Sequence, residues 1–127
     1  MRSSKPVLTG HELEIMQIVW QRPRVTVRDV YEELRKRRKI AYTTVMTMMG
    51  ILESKGHLKR TSEERAYVYR PARPKSKVVG KMVRDFVDRV FDGSAKPLLV
   101  HLVENDHLSQ KELDEIALLL REKEKRS

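Results

Sequence analysis

Apolar residues in the front half of the chain recur at helical spacing in three successive stretches and then switch to alternation. In "LTGHELEIMQIVWQ", Leu13, Met16, Val19 and Trp20 recur at intervals that repeat one helix face. Thr9 precedes Glu12 by three positions, the spacing of a capping box, so a helix is predicted from about Gly10 to Gln21, stopped by Pro23. A short extended "RVT" leads to Thr26, whose hydroxyl can cap a second helix with Asp29 in its first turn and Val27, Val30, Tyr31 and Leu34 on its buried face. A third helix is predicted from Ala41 to Lys55. Val45, Met48, Met49 and Leu52 define its core side, and Gly56 suits a left-handed C-terminal cap. "HLKRTSEERAYVYRP" then alternates as two strands around a turn near Ser62–Glu64. Three helices followed by a hairpin is the order of a winged helix-turn-helix.

Pro71 and Pro74 interrupt the chain, and the pattern behind them is different. "SKVVGKMVRDFVDRVF" carries Val79, Met82, Val83, Phe86, Val87, Val90 and Phe91 on a wide apolar stripe, up to a break at Asp92–Gly93. "KPLLVHLVEN" follows, and Ser109 opens a second capping box, "SQKE", ahead of a helix with Leu113, Ile116, Ala117 and Leu120 on one face. About fifty residues cannot hide that much apolar surface within themselves. The predicted fold class is therefore mainly α with a small β-hairpin. Residues 1–73 read as a winged helix-turn-helix DNA-binding domain and residues 74–127 as a helical dimerisation domain, with Val79, Met82, Val83, Phe86, Val87, Val90, Leu113, Ile116 and Leu120 against a second copy.

Charge sharpens this division. Residues 1–73 hold 16 Lys+Arg and 8 Asp+Glu, a net of 16 − 8 = +8, whereas residues 74–127 hold 11 and 10, a net of 11 − 10 = +1. A basic front half suits a polyanion. Yet "AYTTVMTMMG", between "RKRRK" and "SKGHLKR", has no charge at all. Its outward positions, Tyr42, Thr43, Thr44, Met46, Thr47, Gly50 and Ile51, include three β-branched Thr, which a purely structural helix surface does not favour. A Thr methyl packs on a thymine methyl and its hydroxyl bonds a base edge or phosphate, while Gly50 permits close approach. The neutral helix is thus predicted to read bases. Arg35–Lys39 ahead of it, and Lys59, Arg60 and Arg65 on the wing, are predicted to hold phosphates.

Other chemistry finds little support. The chain has no Cys, which excludes disulfides, thiol nucleophiles and Cys-based metal sites. "HELEI" lacks the second His of a zinc-protease motif, since position 15 is Ile15. His101 and His107 do not share a helix face, Ser109 reads as a cap, and no Gly-rich phosphate loop is present. No enzyme, cofactor or metal site is expected. The start, "MRSSKPVLTG", has no signal-peptide core, and no stretch has membrane-spanning length, so a cytoplasmic protein without membrane insertion is expected.

Taken together, "LTGHELEIMQIVW", "TVRDVYEEL", "AYTTVMTMMGILESKGHLKR", "AYVYRP" and "LVENDHLSQKELDEI" resemble the penicillinase-repressor family of bacterial transcription regulators (BlaI/MecI/CopY) over nearly the full length. The resemblance implies a homodimer on a dyad-symmetric double-stranded DNA operator, repressing adjacent genes. The β-lactamase-linked members are relieved by a membrane-linked metalloprotease sensor system that leads to cutting of the dimerisation module, typically at an Asn–Phe bond; the corresponding bond here, His101–Leu102, departs from that pattern. Copper-responsive members carry paired C-terminal cysteines that this chain lacks. The family often has Arg where this chain has Met46 and Ile51, which points to a different operator. The rival readings are a winged-helix protein-interaction adaptor and a non-specific nucleic-acid-binding protein.

Overall fold

The computed structural model describes residues 8–126, so most of the opening "MRSSKPVLTG" lies outside the described residues. The element order is α1 (Gly10–Gln21), α2 (Val27–Leu34), α3 (Tyr42–Ser54), β1 (Leu58–Glu63), β2 (Ala66–Pro71), α4 (Lys75–Phe91), α5 (Lys96–Glu104) and α6 (Gln110–Arg126). It contains the predicted helices and the hairpin in the predicted order.

Local chemistry sets the ends of the front helices. Thr9 Oγ1 accepts from the Glu12 amide at 3.2 Å while Glu12 Oε1 accepts from the Thr9 amide at 3.0 Å. Thr26 and Asp29 repeat the exchange on α2 at 3.1 and 2.9 Å. Each box occupies amides that an open helix end leaves unsatisfied. At the far end of α3, Gly56 donates to the Glu53 carbonyl and His57 to the Leu52 carbonyl, at 3.0 and 2.9 Å, closing a Schellman motif. Gly56 has φ 85, and a Cβ there would come within 2.9 Å of Arg73 Nη2. Glycine is the residue that fits.

Strands β1 and β2 pair antiparallel, from Leu58 opposite Pro71 to Glu63 opposite Ala66. The turn is Glu64–Arg65, slightly beyond the expected Ser62–Glu64, because Glu64 itself takes the left-handed conformation (φ 54) that tight hairpin turns require. The extended "RVT" joins this ribbon: Val25 and Tyr69 exchange backbone bonds of 3.1 and 2.7 Å.

The core of the front unit is built from Ile15, Met16 and Val19 of α1, Val25, Val30 and Leu34, and Val45, Met49 and Leu52 of α3, all fully buried. Leu58, Val68 and Tyr69 close it from the hairpin. On α1 the buried face runs through Glu12, Ile15, Met16 and Val19, and leaves Leu13 and Trp20 half-buried. Apolar residues cover more than half of the helix circumference, so spacing alone allowed either register, and packing selected this one. Met48 and Tyr31 are likewise half-buried rather than core.

The chain divides into two compact units, Met1–Gly80 and Lys81–Ser127. This division lies seven residues beyond the proline-marked position at residues 73 and 74, since the first turn of α4 belongs with the front unit: Val78 is buried, and Lys75 Nζ lies 5.9 Å from the Trp20 ring. In the rear unit α4 ends where Asp92 and Gly93 both take positive φ (52 and 84). Ser109 and Glu112 form the expected capping box of α6, with bonds of 2.9 and 3.1 Å. Neither α5 nor α6 has a buried residue.

Candidate nucleic-acid interface

The site is the outer side of α3 together with the cations that flank it. Burial of Val45, Met49 and Leu52 leaves Tyr42, Thr43, Thr44, Met46, Thr47 and Ile51 exposed, as the helical period requires. Unlike α1 and α2, α3 begins at Ala41 with no side-chain cap. Its first intrahelical bonds run from Thr44 and Val45 to the Ala41 carbonyl, at 3.1 and 3.2 Å. The Tyr42 and Thr43 amides therefore point out of a helix start bearing partial positive charge, a natural seat for an anion.

Tyr42 is held from the side. Its ring meets Tyr31 edge-on at 5.6 Å, and the Arg28 guanidinium lies 5.3 Å from its centroid. Arg35 lies 5.5 Å over Tyr31. Arg28 was not singled out from sequence, although the α2 core face of Val27, Val30 and Leu34 already turns Arg28 and Tyr31 to one flank. It places a cation beside the start of α3.

Most of the basic block Arg35–Lys39 is paired with acids of the same chain. Arg35 pairs with Glu32 at 3.4 Å, Lys36 with Glu33 at 3.2 Å, and Arg37 and Arg38 with Glu14 at 3.7 and 2.8 Å. Arg38 also donates to His11 Nδ1 at 3.1 Å. Among the described residues only Lys39 of the five forms no ion pair. The pairs of Arg35 and Lys36 are largely exposed and each contributes about 0–1 kcal/mol, so an arriving phosphate can displace them, whereas Arg38 is held half-buried against Glu14.

On the wing, Lys59 and Arg65 are exposed and form no ion pair among the described residues. Arg60 does not hang free: its guanidinium lies 4.2 Å over Tyr67 and its Nε is 3.6 Å from Glu53 at the end of α3. Glu63 is bound by Arg70 and Arg24, which hold its carboxyl below its ordinary value. Lys59 pairs with Arg70 near the base of the hairpin, whereas Arg65 is in its turn, beyond Glu63 and ~13 Å further along the ribbon. The wing cations thus reach two separate places.

Behind this surface, Glu12 ties α1 to α3. It is buried, and Lys55 Nζ donates to it at 2.7 Å. Burial pushes its carboxyl up, but the bonds from Lys55 and Thr9 outweigh burial and hold it below the ordinary value. His57 is buried with Nδ1 unpartnered, and burial, with Arg73 and Lys55 nearby, pushes the imidazole down.

Comparisons with known proteins identify the family of this winged helix. Residues 8–122 match the family described as "Penicillinase repressor". The chain belongs to that family. Its members are transcriptional repressors, not enzymes, and the fold and family together make this chain a DNA-binding repressor. The penicillinase repressor of Bacillus licheniformis is 30% identical over 121 residues, spanning 95% of this chain and 94% of that protein. The solution structure of the DNA-binding domain of the repressor BlaI is similar with TM-score 0.52 and 31% identity, over 59% of this chain and 92% of that one. The monomeric form of Bacillus licheniformis BlaI in complex with the blaP half-operator has TM-score 0.50 and 32% identity, over 57% and 89%. Among the described residues no helix is long and apolar enough to cross a membrane.

Proposed function

We propose that this repressor binds as a homodimer to a dyad-symmetric operator, in the cytoplasm, and silences adjacent genes. The exposed, charge-free face of α3 supports that reading: Thr43, Thr44 and Thr47 contact bases or nearby phosphates, assisted by Tyr42 and Met46. Lys59 and Arg65 hold phosphates from the wing. Arg60 braces the wing against α3 through Tyr67 and Glu53, so its effect on DNA is partly indirect.

Two copies present the same helix twice, and a two-fold axis in the protein calls for one in the DNA. Val79, Met82, Val83, Phe86, Val87, Val90, Leu113, Ile116 and Leu120 form the self-association surface. Repression is relieved when the dimerisation module is cut at His101–Leu102 in response to a membrane-linked metalloprotease sensor. That bond lies inside α5, so cleavage requires the helix to unwind locally.

The test is binding of purified full-length protein to duplexes it selects from a randomised library. Thr47→Ala is expected to change preference among duplexes. Replacing Lys59 and Arg65 with Ala is expected to weaken all duplexes alike and to flatten the salt dependence by ~1 in slope for each phosphate no longer neutralised. If both changes are equally sequence-blind, α3 does not read bases.

A further inference from the structure

The outward face of α3 has no side chain capable of the paired hydrogen bonds with which Arg reads guanine, or Asn and Gln read adenine. Thr43, Met46, Thr47, Gly50 and Ile51 fall at i, i+3, i+4, i+7 and i+8, a single stripe. Met46 and Ile51 keep 46% and 43% of their surface exposed. Between them sits Gly50, which weakens a helix interior by about 0.5–1 kcal/mol relative to Ala. The fold does not require it: nothing lies within 4 Å of a Cβ placed there. Gly50 thus leaves open space on the stripe among the exposed Met46, Thr47 and Ile51.

In the major groove the apolar feature of a base edge is the 5-methyl of thymine; cytosine presents the same edge without it. Resting on the operator-reading role proposed above, we infer that α3 discriminates chiefly by the 5-methyl group of pyrimidines, with Gly50 as the recess that receives it and Met46, Thr47 and Ile51 as its walls. The occupant is duplex DNA, because the stripe lies in the +8 front half (16 − 8, residues 1–73) and Arg28 stands at the Tyr42 end of the same helix. The half-site therefore carries thymines opposite the stripe. A 5-methylcytosine offers the same methyl on a different hydrogen-bonding edge.

The experiment takes the duplex that the full-length protein selects from a randomised library and replaces each thymine, singly, with uracil. At two or more positions per half-site the affinity falls about fourfold, the worth of one buried methyl. Met46→Ala or Ile51→Ala removes that sensitivity at one of those positions. At the same positions 5-methylcytosine binds better than cytosine. Equal binding of uracil and thymine duplexes, with sequence preference intact, overturns the methyl inference and leaves the operator reading standing. Equal binding of cytosine and 5-methylcytosine overturns the claim that the recess reads the methyl on any pyrimidine. A library that yields no preferred sequence overturns both.

Discussion

An alanine at Gly50 would meet no protein atom within 4 Å, yet the chain keeps the residue that weakens a helix most after proline. Stability and binding are expected to part at this position. Gly50→Ala should raise the unfolding free energy by about 0.5–1 kcal/mol, read as a higher urea midpoint at unchanged slope. The same methyl fills the space where a base edge approaches, so operator affinity should drop roughly tenfold, the equivalent of about 1.4 kcal/mol. A variant that is more stable and binds as before would show that the recess is unused. Arg60 is the opposite kind of residue. Sequence marked it as a plain cation, but stacking on Tyr67 and pairing with Glu53 make it part of the joint between wing and helix.

At the scale of elements, the junction of α1, α3 and β1 is held by groups whose charge matters. Glu12 serves both as the capping-box acid of α1 and as partner of Lys55 at the end of α3. Glu12→Gln should cost about 2 kcal/mol, since a charge-assisted bond is removed from a buried setting. The pH dependence has two windows. His57 is held neutral, below its ordinary 6.5, so the unfolded chain takes up its proton first and stability falls as pH drops below 6.5 toward the folded value. Glu12 is held below 4.5, so its contribution is present above 4.5 and is lost as pH falls from there through the folded value. Urea titrations from pH 7 to 3 should show both losses, His57→Asn flattening the first and Glu12→Gln the second. If the first window survives in His57→Asn, another group controls it.

The same elements show what was legible in sequence. Thr9–Glu12, Thr26–Asp29, Ser109–Glu112 and Gly56 are signals written within four residues, and each forms as read. The outward face of α3 follows from a period of 3.6 residues once the core side is known. What escaped depended on partners distant in sequence. Glu12 meets Lys55 across 43 positions, and the basic run Arg35–Lys39 reaches back to Glu14. The hairpin turn shifted because Glu64 adopts a positive φ without the Gly or Asn that usually marks it. The register of α1 was ambiguous because its apolar side is wider than one core face.

For the whole molecule the question is what covers the rear unit. Val83, Phe86 and Val90 remain 52%, 42% and 56% exposed, and Ile116 and Leu120 are 42% and 57% exposed. Among the described residues Phe86 finds only Phe91 as an aromatic neighbour, edge-on at 5.8 Å. Leaving such side chains in water forgoes about 1.5–3 kcal/mol for each one that could be fully buried. In the dimer proposed above, a second copy would supply that burial and would also join two recognition helices. Joining converts binding of the second half-site into an intramolecular event, which raises affinity by about 10²–10⁴-fold without any added interaction with DNA. Replacing Phe86 and Val90 together with Glu should therefore give the mass of one chain in sedimentation. It should lower affinity for a full operator to nearly that for a half-operator duplex, while half-operator binding stays unchanged. Dimers that persist with full affinity would move the interface off α4. A monomer that still bound the full operator tightly would instead show that two-fold assembly on DNA does not depend on the rear unit at all.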